Sequence, residues 1–145
     1  MQTQNSSQTI LVGVDGSSSS VAALRHAAGL AGSLGCSLTA VMCWQKPQFY
    51  MADIEFEDGP FEQVATQKLE ATVQAALGAD PDVICRTLVR NGRPGEVLVD
   101  ESASSRLLVM GTRGHSEFVS MLLGSVSLEC IAHAHVPVVT VRADL

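Results

Sequence analysis

Short apolar runs that stop after four to seven residues alternate along this chain with longer segments of helical period, and that alternation constrains the fold most. Ile10 to Val14 (ILVGV), Leu38 to Trp44 (LTAVMCW), Leu107 to Met110 (LLVM) and Val136 to Val141 (VPVVTV) are too short for helices and too continuously apolar for strands with one wet face. Val83 to Val89 alternates only in part. Between the first two runs, serines 17–20 offer helix caps, and Val21, Leu24, Ala28, Ala31 and Leu34 follow at spacings of 3, 4, 3 and 3 before Gly35. Phe61, Val64, Ala65, Leu69, Val73 and Ala76 mark a second helix that closes at Gly78. Pro94, after the turn Asn91-Gly92-Arg93, opens a third that runs to about Ser104, and a fourth spans Ser125 to about Ala134. Residues 45–60, QKPQFYMADIEFEDGP, read as a long acidic surface loop with a proline near each end.

Buried strands alternating with helices predict a single α/β domain, a doubly wound five-stranded parallel sheet with helices on both faces. Residues 9–145 form that domain and residues 1–8 a frayed polar tail. With the strand order 3-2-1-4-5, the switch point where ligands collect falls between the first and fourth strands. Two loops open there, one starting at Asp15 and one at Gly111.

Charge and composition exclude several functions. A net charge of −6 argues against a nucleic-acid backbone as partner. No apolar run approaches the roughly 18 residues of a membrane span, and the opening MQTQNSSQT lacks the basic and apolar segments of a secretory signal. A cytoplasmic protein is expected. Cys36, Cys43, Cys85 and Cys130 form no C-x-x-C and read as small buried hydrophobes in a reduced compartment. His133 and His135 form an H-x-H pair with no carboxylate or thiol cluster beside it, which is weak ground for zinc.

The informative stretch is 111-GTRGHSEFVSMLLGSVS-127. Gly111 and Gly114 allow positive φ and close approach of backbone to a ligand. Gly124-Ser125 starts a helix whose free N–H groups and dipole favour an anion. Ser125 and Ser127 add hydroxyl donors, and Arg113 and His115 add the nearby positive charge. The set suits a phosphate chain, although the same glycines would also serve a plain strand-to-helix turn. There is no G-x-x-x-x-G-K-[ST], so no P-loop lysine, and no G-x-G-x-x-G after the first strand. Asp15 faces the same crevice and reads as a partner for ribose or a metal-bound water, as a helix cap, or as both. Val41 is most simply core, with its backbone available to a base at the crevice edge.

Gly111, two residues, Gly114, nine residues, then Gly124-Ser125 resembles the glycine motif of the universal stress protein family's nucleotide-binding branch. ILVGVDGSSSS, GRPGEVL and AHVPVVTVR resemble its first strand, third-helix start and closing passage, so the likeness covers essentially residues 9–142. The resemblance implies a stress-response regulator that binds an adenine nucleotide, usually ATP with magnesium, with AMP or cyclic AMP as variants, and that is not an enzyme beyond slow incidental hydrolysis. It implies adenine and ribose contacts at Gly13, Val14, Asp15 and Val41, with Met110 lining the base. It implies phosphate contacts at Gly111, Arg113, Gly114, His115, Gly124, Ser125, Val126 and Ser127, and a homodimer formed through the last strand, Val136 to Val141. Ser116 and Glu117 depart from the small or neutral residues usual at their places, as does Ser105-Arg106 from an acidic residue, and Glu117 would sit near the phosphates. An ATPase or phosphotransferase is the alternative of a different class; the missing P-loop lysine and the lack of a base beyond Asp15 weigh against it.

Overall fold

A computed structural model describes residues 8–47, 57–78, 80, 82–112 and 123–143. Its elements follow the alternation of the sequence: β1 (Thr9–Gly13), α1 (Ser18–Leu34), β2 (Ser37–Trp44), α2 (Asp58–Leu77), β3 (Cys85–Asn91), α3 (Pro94–Ser102), β4 (Leu107–Gly111), α4 (Ser125–His133) and β5 (Val138–Val141). The strands form one parallel sheet in the order β3-β2-β1-β4-β5, so the switch point lies between β1 and β4. Two apolar layers flank the sheet. Ile10, Val12, Leu24, Ala27, Leu69 and Val109 form the layer under α1 and α2, and Leu11, Val41, Leu98, Leu108, Met110 and Cys130 the layer under α3 and α4. Each strand sends alternate residues to opposite layers, which explains why the central strands read as unbroken apolar runs.

Several boundaries differ from the sequence reading. The α2 helix begins at Asp58 rather than Phe61, because Pro60 falls in its first turn, where a proline lacks nothing the helix needs. Stacking of Trp44 on Phe61 (centroids 6.3 Å apart) and a 2.7 Å pair between Lys46 and Asp58 anchor that start. Strand β3 runs two residues later than expected: its pairing with β2 extends to Cys43↔Arg90 and Trp44↔Asn91, while Ile84 lies outside the strand, 73% exposed. Ladder pairing, not hydropathy, sets an edge strand's ends. Strand β5 starts after Pro137, which has no N–H for the ladder, although its carbonyl accepts from Leu108 N. Of the expected frayed tail, residues 1–7 lie outside the described residues, as do residues 48–56 of the expected loop.

Candidate functional site

A cavity of about 290 Å³ opens beyond the C-terminal ends of β1 and β4. Its floor is apolar or weakly polar: Val41 and Cys43 from β2, Met110 from β4, Leu98 from α3. Leu98 comes so close to Gly13 that a Cβ there would sit 2.8 Å from Cδ1. The rim is polar and is built from helix beginnings. Ser17 and Ser20 belong to the start of α1, Pro94 to that of α3, and Gly124, Ser125 and Ser127 to that of α4. Neither α1 nor α4 carries an acidic residue in its first turn, so the positive ends of both dipoles reach the cavity uncompensated by their own side chains.

On the β1 side, Asp15 is built into the turn. Its Oδ1 accepts from Ser17 N (2.9 Å) and from Ser20 Oγ (3.2 Å), while Ser17 Oγ caps α1 by accepting from Ser20 N. Asp15 therefore organises the helix start and also lines the cavity, where the sequence reading would have it meet ribose or a metal-bound water. Gly16, at φ +87°, requires glycine, and the stem of Lys68 from α2 lies against it.

On the β4 side, the glycines act differently from the expectation. Gly111 does not take positive φ; it is needed because the backbone of Ser19 lies 2.9 Å from where its Cβ would be. Gly124 is the N-cap of α4 with extended backbone, φ −76° and ψ 167°, so it too needs no left-handed freedom. Gly124 N donates to the Thr112 carbonyl, which joins the α4 cap to the end of β4, and Thr112 N donates to the Val141 carbonyl. Ser127, 2% exposed, donates its hydroxyl hydrogen to the Gly111 carbonyl at 2.8 Å. In this arrangement Ser127 ties α4 to β4 and offers a ligand its oxygen lone pairs, whereas the sequence reading had it as a donor.

Val41 is 1% exposed and its carbonyl already accepts from Val14 N, which leaves that carbonyl less open to a base than expected. All four cysteines are free; Cys130 is fully buried and the others are half-buried. Burial, with smaller contributions from Glu101 and Cys130, pushes the Cys43 thiol up to about 11, and burial does the same to Cys130. Among the described residues no three His, Cys, Asp or Glu side chains gather into a metal site, His133 and His135 included.

The structure thus brings Gly13, Val14, Asp15, Val41, Met110, Gly111, Gly124, Ser125, Val126 and Ser127 around one cavity. Arg113, Gly114, His115 and Glu117 lie outside the described residues. Sequence reasoning missed Ser17, Ser20, Cys43, Pro94 and Leu98 as lining residues. The serines were legible as caps, and the topology that aims their helix at the switch point was the available signal. No periodicity marks Cys43 or Leu98 as facing a ligand rather than a core.

The sequence profile of the universal stress protein family matches residues 6–142. Among curated relatives, universal stress protein Rv2005c of Mycobacterium tuberculosis is 34% identical over 139 residues, covering 92% of this chain and 45% of its own length. The chain therefore spans about half the length of the curated relatives it matches. Among solved structures, a universal stress protein in complex with cAMP is 27% identical, covers 94% of this chain and 98% of its own, and superposes with a TM-score of 0.59. A family protein of Arabidopsis thaliana with AMP bound shares the fold at 21% identity and a TM-score of 0.53, covering 94% and 92%.

Proposed function

Because the chain belongs to the universal stress protein family, we propose that it binds an adenine nucleotide in the cavity between β1 and β4 and acts as a cytoplasmic stress-response regulator. The observation that carries this reading is the meeting of two helix N-termini, α1 and α4, neither with an acidic residue in its own first turn, over an apolar floor. A planar base suits Val41, Cys43 and Leu98, and an anion suits the N–H groups and hydroxyls of the rim. The cAMP complex of a relative 27% identical supports an adenine nucleotide in particular. ATP is the favoured ligand, its phosphates running toward Gly124, Ser125, Val126 and the loop that carries Arg113, Gly114 and His115. Magnesium would arrive with the phosphates and meet Asp15. AMP or cyclic AMP is the second reading, and that relative's cAMP favours it.

The chemistry suits holding rather than turnover. Fast phosphoryl transfer needs a positioned water, a base and cations at the γ-phosphate. Among the described residues the rim supplies hydroxyls, backbone N–H groups and one carboxylate that already accepts two hydrogen bonds. A homodimer through the outer edge of β5 completes the proposal.

Calorimetry and thermal shift with ATP, ADP, AMP and cAMP, each with and without magnesium, test it. Binding at 100 times Kd raises stability by about 2.7 kcal/mol. Gly124→Val, which crowds the α4 N-terminus, should remove binding and leave the fold intact. No heat from any of the four at millimolar concentration would refute the reading. Turnover near the roughly 10 s⁻¹ enzyme median, lost in Asp15→Asn, would make the protein an ATPase.

A further inference from the structure

Beside Pro94, which lines the cavity from α3, lies a charged contact that nucleotide binding does not itself require. Arg93, the residue before Pro94, donates from both Nη atoms to the carboxylate of Glu129 on α4, with Nη2 to Oε2 at 2.7 Å. Glu96, in the first turn of α3, lies 3.3 Å from the same guanidinium. Gly95 makes room for this arrangement, since a Cβ there would overlap the Glu129 carboxyl group. The Arg93 hydrogen bonds hold Glu129 below the usual carboxylate range, with the charge of His133 adding to them. The contact thus stands on three features: a bidentate fork, a buried glycine beneath it, and two helices that both line the cavity.

The two helices it joins pack together on one face of the sheet, and both contribute to the cavity wall. Pro94 and Leu98 come from α3, and Ser125, Val126 and Ser127 from α4. The α4 wall is tied to β4 by the Ser127 hydroxyl, and the turn before α3 is tied to β2 by Gly92 N donating to Trp44. Arg93 with Glu129 is the ion pair, among the described residues, that links one wall to the other.

We propose that the Arg93–Glu129 pair, seated over Gly95, is a positioning device that sets the width of the cavity between α3 and α4 and so the fit of the ligand's base. The proposal rests on the nucleotide reading above. An exposed ion pair contributes little to stability, but a bidentate guanidinium–carboxylate contact fixes geometry. On the α3 side it holds Leu98, part of the apolar floor that suits a base, so the pair acts at the base end.

Calorimetry on Arg93→Gln, Glu129→Gln, their double variant and Gly95→Ala, with ATP and with adenosine, tests this beside thermal melts. Each variant should bind both ligands roughly tenfold more weakly with little change in Tm. The double variant should lose no more than either single one. Gly95→Ala should match Glu129→Gln, because its methyl displaces the carboxylate; if it fails to fold, the Glu129 and Arg93 variants carry the test. Unchanged affinity for both ligands would overturn the proposal. So would a gain for ATP alone, which would make Glu129 a simple like charge on the phosphates, and so would fully additive losses. If the parent protein binds neither ligand, the site reading itself falls and this inference with it.

Discussion

At Cys43, position and reactivity pull apart. The thiol lines the cavity, yet burial pushes it up to about 11. Only the thiolate attacks an electrophile, so roughly one thiol in a thousand is ionised at pH 8. Iodoacetamide at that pH should label Cys43 far more slowly in the native protein than in urea. Saturating ATP should slow it further by covering the sulfur, as followed by peptide mass spectrometry. Labelling that ignores ATP would move the base away from β2.

Among the elements, the junction of α1 with β4 shows why a glycine in the motif has a structural duty. Gly111 faces the backbone of Ser19, which cannot rotate aside as a side chain can. Gly111→Ala should therefore push the α1 start off the sheet, at about 1–3 kcal/mol, and shift Ser17 and Ser20 at the rim. Both Tm and ATP affinity should fall together. Gly29, inside α1 with open space where its Cβ would be, is the internal control. Gly29→Ala should raise stability by about 0.5–1 kcal/mol and leave binding unchanged. If Gly111→Ala lowers affinity with no loss in Tm, that glycine serves the ligand directly.

For the whole molecule the open question is the sheet's outer edge. Strand β5 ends the sheet, and the carbonyls of Pro137 and Val141 accept from Leu108 in β4 and from Thr112 just after it. Alternation along the strand then turns the N–H and C=O of Val138 and Thr140 outward, unpaired within the sheet, which is the kind of edge a second copy can cover. On the neighbouring α4, Leu128 and Ile131 are 47% and 49% exposed, which would extend an interface beyond the strand. Val139 and Val141 pack into the α1–α2 layer, so a lysine at either would disturb the fold as well as any dimer. Thr140→Pro is the cleaner change, removing one outward N–H and no bond to β4. Light scattering should then report a shift from dimer to monomer at micromolar concentration. An unchanged dimer would place the interface elsewhere.

Hydropathy period, with the cap and turn residues, determined the α/β class and the number and order of elements, and the glycine spacing with its flanking motifs carried the resemblance to the family. Those properties follow from local pattern: buried parallel strands must be apolar on both faces, and helices must show one apolar stripe. Tertiary structure decided the rest. Ladder pairing set the ends of β3 and β5, which hydropathy cannot see. Close packing against Ser19 gave Gly111 a structural duty beside the ligand role that spacing assigned it, and the Gly111 carbonyl takes the Ser127 hydroxyl hydrogen that the sequence reading offered to a ligand. Cys43 and Leu98 acquire their places at the cavity, and Gly95 its place against Glu129, only when distant segments meet across the sheet, because what each side chain faces is a property of the fold and not of its neighbours in sequence.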